Sequence, residues 1–468
     1  MVYGVISLLA TAIILFFAVI GIKETLNKHP DLHGMLFIRD FFKYLALFIA
    51  VLITCFGLSG ILTYLLNYQQ DIFNSKLDLA RWMSFAVIGV PLVAIIYRWI
   101  KREFYRNPNA KDSPVWQIYL LLATAASLML WFVPLQNALQ TFAGAPYSPR
   151  SVSSTAIAFF VWAIHINLLR GYTSVITNIH FFFGSFVGFA GTAISLISFL
   201  DSGISTLMGL EIGKYQLAEA IILLITSLPL GLYYFGEFST RSSQLEIRVF
   251  STLGGLVATI LFATVAATTA LKIVLVWYFG DTDQVFERHF TDLPGALGAV
   301  IVLTGFHFVF RTLAEGFTRD QLIRLYQHLI SGGTLIAGSF GLGIVIVGLI
   351  ANQNRTNTII VGLSVIATTL INWFYHWRIC QAAVRENRAM ESQQPIRRFY
   401  LYFFIGAPLI IGIGSLVWLT FNGFKALLIG NQELWQSRYP IAALIVTLSL
   451  AIYHFNVLMR EQLSSRNG

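Results

Sequence analysis

The sequence predicts an all-α polytopic membrane protein of about 13 transmembrane helices, one leading helix followed by six tandem helical hairpins in parallel orientation. Three observations predict it. The composition is too apolar for a water-soluble core. Apolar runs long enough to cross a bilayer recur along the whole chain, and two residue markers recur in step with them. Of the 468 residues, 56% are hydrophobic and 11% charged, with a mean hydropathy of +0.71. Soluble domains carry about 25% charged residues.

A spanning helix needs about 20 apolar residues. The first run, VISLLATAIILFFAVIGI, lacks a basic start and a small-residue cleavage site, so 3–22 is predicted as a retained helix within a leading segment 1–34. Hairpin 1 (35–111) holds spans 41–66 and 82–100; it opens on Arg39-Asp40-Phe41 and closes on Tyr97-Arg98-Trp99. Hairpin 2 (112–172) holds 115–140 and 153–169, from Gln117-Ile118-Tyr119 to Ile164-His165-Ile166. Hairpin 3 (173–243) holds 181–200 and 216–236, from Asn178-Ile179-His180 to Tyr233-Tyr234-Phe235. Hairpin 4 (244–320) holds 250–278 and 294–312, from Arg248-Val249-Phe250 to Phe306-His307-Phe308. Hairpin 5 (321–392) holds 327–350 and 358–378, from Arg324-Leu325-Tyr326 to Tyr375-His376-Trp377. Hairpin 6 (393–468) holds 399–424 and 440–459, from Arg398-Phe399-Tyr400 to Tyr453-His454-Phe455.

The closing markers are 67, 69, 73, 69 and 78 residues apart, and this regularity identifies a repeat of two helices. Two helices return the chain to the side it left, so all six hairpins share one orientation. Several first helices are rich in small residues, as in STLGGLVATILFATVAATTA and SGGTLIAGSFGLG, which allow close backbone approach.

Loop charge sets the orientation. With loops numbered by the helix before them, the odd loops and the C-terminus hold 22 of the 31 Lys and Arg residues, which puts them in the cytoplasm and the N-terminus outside. The net charge of +9 therefore belongs to topology, and no nucleic-acid partner is expected. Cys55 and Cys380 are far apart and form no CxxC pattern, so neither a disulfide framework nor a thiolate metal site is expected.

The R-x-Tyr/Phe opening, the small-residue first helix and the second helix ending in Tyr-His-Trp resemble a bacterial multipass membrane domain family of uncharacterised function, found as tandem two-helix repeats. The likeness is sharpest in hairpins 5 and 6. Hairpins 2 and 3 depart from it, with Gln117 and Asn178 in place of the arginine and with His165 or Tyr234 outside a full triplet. The resemblance implies a bacterial inner membrane and this architecture, and it carries no activity.

Six histidines, His165, His180, His307, His328, His376 and His454, fall near the predicted cytoplasmic ends of helices. His165, His307, His376 and His454 are candidate axial ligands for a haem or pigment, because imidazoles on facing helices suit that role. Against this stands an interfacial belt of Tyr97, Trp99, Tyr233, Phe306, Tyr375, Trp377 and Tyr453 at headgroup level, with the histidines as part of it. The belt is the favoured reading, and no cofactor is expected.

Deeper charges are few. Glu219 and Asp201 are the transport candidates, each set against plain solvation at a helix mouth, and Lys272 is read as snorkelling. The outer loop FGDTDQVFERHFTDLPG offers oxygen ligands without calcium-loop spacing, so it reads as a solvated acidic turn, and no metal site is assigned. There is no HExxH, GxSxG or phosphate-loop context, so no catalytic residues and no enzyme activity are expected. The expected function is an integral membrane scaffold or assembly subunit offering a helical packing surface to lipids, membrane-protein partners or further copies of itself. A transporter or channel between hairpins is the alternative, and a haem- or pigment-binding electron carrier the third.

Overall fold

The computed structural model describes residues 35–67, 76–172, 175–213, 215–241, 245–280, 282, 284–315, 320–351, 354–429 and 437–466. Among them there is no strand, and twelve helices are long and apolar enough to cross a membrane. They are α1 (Met35–Leu66), α2 (Lys76–Arg106), α3 (Pro114–Gln140), α4 (Pro149–Leu169), α5 (Val175–Leu207) and α6 (Gln216–Arg241). There follow α7 (Leu245–Phe279), α8 (Leu293–Glu315), α9 (Asp320–Ile350), α10 (Arg355–Glu386), α11 (Pro395–Ile429) and α12 (Arg438–Arg466). The protein is a helical multipass membrane protein. The leading helix expected over 3–22 lies outside the described residues, as do the side chains of Arg248 and Phe250.

Each of the twelve remaining predicted spans falls within one observed helix, but most of the helices are longer than the apolar runs that predicted them. α10, for example, runs on from the apolar stretch through Arg378 and Arg385 to Glu386. Hydropathy marks the hydrocarbon crossing, whereas the backbone stays helical into the headgroup layer, where basic side chains reach water. Local signals still set several starts. Ser148 caps α4 by accepting from the Ser151 amide at 3.3 Å, with Pro149 in the first turn, where its missing N–H has no helical partner to lose. Pro91, Pro134, Pro229 and Pro408 all lie inside helices that continue through them.

The chain forms two compact units. The first comprises residues to Leu196, with Gly213–Ile247, and the second Ile197–Ile212 and everything from Arg248 onward. In the first unit α3 is the central helix: 56% of its apolar window is buried, against 28% for α1 and 11% for α2. Its Trp116, Tyr119, Leu120, Leu128 and Phe132 join Tyr44, Leu47, Phe181 and Tyr234 in one core. The second unit has smaller cores, one around Ala270, Ile273, Phe290 and Leu293, and one around Trp377, Tyr400, Leu401 and Phe404.

Small residues bring consecutive helices together in both units. A Cβ on Gly188 of α5 would stand 2.3 Å from the Gly231 Cα of α6. One on Gly362 of α10 would stand 2.7 Å from the Gly341 carbonyl of α9. Hydrogen bonds add to this packing in the second unit, where Thr268 and Thr368 share a 2.6 Å bond between α7 and α10, and the Asn372 amide donates to Thr264 at 2.8 Å.

Candidate functional site

The two sequence markers of a hairpin meet in space. In hairpin 2 the Tyr119 hydroxyl of α3 donates to His165 Nε2 of α4 at 2.8 Å. In hairpin 3 the residue types are exchanged: His180 of α5 shares a 3.2 Å bond with the Tyr234 hydroxyl of α6. Tyr326 and His376 of hairpin 5 pack edge to face at 5.4 Å, and Tyr400 and His454 of hairpin 6 lie 5.8 Å apart. In these four hairpins the opening and closing markers therefore form one histidine–tyrosine contact, whereas in hairpin 1 Phe41 and Arg98 are exposed and in hairpin 4 His307 turns to Tyr326 of hairpin 5.

The histidines are inside the helix packing. His165, His328 and His376 are buried, and His180 and His454 have no exposed surface. Three rings are fixed in the same way: Nδ1 donates to the carbonyl one turn earlier, His165 to Val161, His328 to Arg324 and His454 to Leu450, at 2.8, 2.8 and 2.9 Å. That bond selects the tautomer and leaves Nε2 as a lone-pair acceptor. At His165 the lone pair is used by Tyr119, and at His307 by the Tyr326 hydroxyl at 3.1 Å, while His307 Nδ1 meets the Leu256 carbonyl at 3.2 Å. His376 Nδ1 is bonded to Gln327 Oε1. His454 and His328 keep an Nε2 with no hydrogen-bond partner. Of the four ligand candidates, His165 and His307 have their Nε2 lone pair taken by a tyrosine, whereas His454 has a buried Nε2 with no donor and His376 donates from Nδ1 to Gln327; the Tyr400 ring contacts both His454 and His328. Among the described residues no group of three or more His, Cys, Asp or Glu is placed to hold a metal ion.

The predicted belt divides. Tyr97, Trp99, Tyr375 and Tyr453 are exposed at the outside of the packing, where lipid would meet them, and Tyr233 and Phe306 are half-buried. Trp377 is inside: it is 4% exposed, stacks on Tyr400 at 5.1 Å, and donates from Nε1 to the Tyr453 hydroxyl at 2.7 Å. Its neighbour Arg397 explains why, because the guanidinium lies 5.4 Å above the Trp377 ring. Glu219 is exposed in the first turn of α6, and Asp201 is half-buried near the end of α5. Asp281 and Asp283 of the acidic turn lie outside the described residues, while His289 turns inward to the Ile273 carbonyl at 2.9 Å.

Sequence reasoning passed over the buried ion pairs. Arg397, 1% exposed, donates to Glu461 of α12 from Nε at 3.2 Å and from Nη2 at 2.5 Å, and its Nη1 reaches the Cys380 carbonyl at 3.4 Å. Arg398, the residue read as the marker, is exposed. In the first unit Lys43 is bonded to Glu103 at 2.6 Å and to Asp40 at 2.9 Å, and lies over the Trp99 ring at 5.9 Å. A signal for the first pair was present: Glu461 stands seven residues after His454, as Tyr172 stands seven after His165, and Arg397 precedes Tyr400 by three, as Trp116 precedes Tyr119. Trp116 Nε1 donates to the Tyr172 hydroxyl at 3.0 Å, so the same two repeat positions are bonded in both units.

No curated protein and no solved structure matches the chain. The family described as Domain of unknown function (DUF5671) matches residues 40–164 and again 324–449. The first match takes in α1 to α4 up to Ile164, and the second α9 to α12 from Arg324 to Ser449, so each copy covers four helices and lies within one compact unit. Together the copies cover more than half of the 468 residues, and the chain belongs to this DUF5671 family.

Proposed function

We propose that the protein is an integral membrane scaffold or assembly subunit of a bacterial inner membrane, with a cytoplasmic C-terminus, whose six hairpins offer a helical packing surface to protein partners or lipids. One observation carries this reading: the polar side chains are spent on contacts between helices, while broad apolar faces are left outside. On α11, Phe399, Ile410, Ile413, Val417, Phe421 and Leu428 are all more than half exposed, and in the same unit Thr268, Thr368, Asn372 and Arg397 bond side chains of neighbouring helices. Such a surface meets lipid or another membrane helix without stranding a hydrogen-bonding group.

Gentle-detergent purification followed by mass determination tests the proposal. It expects a stoichiometric partner or a homo-oligomer, and a clean monomer would overturn it. The absorption spectrum of the same sample separates it from a haem or pigment carrier, the reading favoured by the unengaged Nε2 of His454 and His328. The scaffold reading expects a colourless protein.

A further inference from the structure

The second unit contains a cavity of about 640 Å³ between α9, α11 and α12, touched at one end by α10. Its walls run along α9 from Ile336 to Val347 and along α12 from Tyr439 to Leu450. Eleven residues of helix rise about 16 Å. Half of a hydrocarbon core of about 30 Å is about 15 Å, so the cavity is one leaflet deep. One end sits where α9 finishes and where α10 and α12 begin, beside Val347, Thr358 and Tyr439, and the other end reaches mid-helix at Phe404 and Leu450. Pro408 lies on the α11 wall, where it offers the Phe404 carbonyl no N–H.

The cavity is open along one side, where Phe340 and Ile411 are more than half exposed, and its lining is apolar. The hydroxyls along it are turned onto carbonyls of their own helices, Ser339 to Leu335 at 2.7 Å, Thr358 to Asn354 at 2.8 Å and Thr447 to Ala443 at 2.7 Å. Water needs several polar partners to occupy such a groove and these hydroxyls are already bonded, whereas an apolar chain laid in it makes dispersion contacts along its length. The mouth has the opposite character. Arg355 and Arg438 open α10 and α12 there, and the Arg438 guanidinium lies 4.8 Å from the Tyr439 ring centre and donates to its hydroxyl at 3.3 Å.

We propose that this cavity binds one acyl tail of an anionic phospholipid, with the tail between α9, α11 and α12 and the phosphate at Arg438 and the N-termini of α10 and α12. A one-leaflet apolar slot with cationic groups only at its mouth fits the shape and polarity of such a lipid. The proposal deepens the lipid-facing part of the scaffold reading at a single site, and it stands whether or not a protein partner is found.

The test uses full-length protein, delipidated in detergent and titrated with phosphatidylglycerol or phosphatidylcholine under native mass spectrometry. Wild type should retain one tightly held phosphatidylglycerol. A443F and A407F, which fill the slot from α12 and α11, should each weaken that retention about tenfold by excluding buried methylenes. R438Q should keep tail binding and bring phosphatidylglycerol down toward phosphatidylcholine. Two filling variants on different helices guard against one misfolding, which gel filtration would reveal. Retention of lipid by both folded variants at the wild-type level would place the lipid elsewhere and overturn the proposal. So would a wild type that binds neither lipid, or an R438Q whose head-group preference is unchanged. None of these readouts depends on a partner, so failure here is distinct from failure of the scaffold reading.

Discussion

The two units solve the same packing problem with different chemistry. Three residues before the opening tyrosine and seven after the closing histidine, the first unit joins Trp116 to Tyr172 by a neutral hydrogen bond of 3.0 Å. At the same places the second unit joins Arg397 to Glu461 by a bidentate ion pair. The first unit has its own buried cation, Lys43, which reaches Glu103 and Trp99 within one hairpin. The second unit brings Arg397 across from the next hairpin to cover Trp377. In both, the cation sits on the tryptophan that follows the central residue of a closing triplet. What the repeat maintains is therefore the contact between helix ends. Charge is one of several ways to make it, which argues that these positions hold the helix ends of a hairpin together.

The largest effect expected from breaking this comparison is at Arg397. Arg397→Ala takes the bidentate cation from the buried Glu461, a loss of about 3–5 kcal/mol for a broken buried pair. The thermal unfolding midpoint in detergent should fall steeply. Exchange of both residues for those of the first unit, Arg397→Trp with Glu461→Tyr, should recover most of the loss, since a neutral pair of comparable reach replaces two desolvated charges. A double variant no better than the single one would show that the two sites are not equivalent positions of one repeat.

A smaller effect separates the two histidine–tyrosine contacts. Tyr119→Phe removes the donor to His165 Nε2 and strands a buried acceptor, at a cost of about 1–2 kcal/mol. Tyr400→Phe removes the 3.1 Å bond between Tyr400 and Ser331 and takes no donor from His454 Nε2, which has none. The drop in unfolding midpoint should be larger for Tyr119→Phe. The reverse order would mean that the Tyr400 hydroxyl serves His454 in the membrane.

The architecture was legible because bilayer thickness imposes a length on every apolar run, and the repeat markers because each stands at the end of such a run. What they do was not legible. Tyr119 and His165 are 46 residues apart, and only folding shows that an opening aromatic and a closing histidine are one contact. Read singly, each resembles an interfacial residue, and position at a helix end predicts a belt for the histidines and Trp377 alike. Arg397 was hidden by Arg398, since hydropathy cannot tell which of two adjacent arginines points inward along a helix. The cavity left no trace in the pattern either. Its lining residues are mostly ordinary apolar ones spread over four helices, and a space between helices is a feature of packing that no single segment encodes.

The smallest effects expected are at ion pairs nearer the surface, and they sharpen the comparison from the other side. Arg170 pairs with Glu237 in the first unit with side chains 39% and 15% exposed, and Arg324 pairs with Glu391 in the second at 2.5 Å with 23% and 10%. An exposed pair contributes about 0–1 kcal/mol, because solvent and salt screen it and two long side chains are immobilised to form it. Glu237→Gln and Glu391→Gln should thus shift the unfolding midpoint little, Glu391→Gln slightly more, and raising the salt concentration should narrow the gap. Arg397→Ala should lose as much at high salt as at low, because its pair is out of reach of mobile ions. If all three variants lost stability alike, burial would not be what distinguishes Arg397–Glu461, and the neutral Trp116–Tyr172 bond would no longer count as its equivalent.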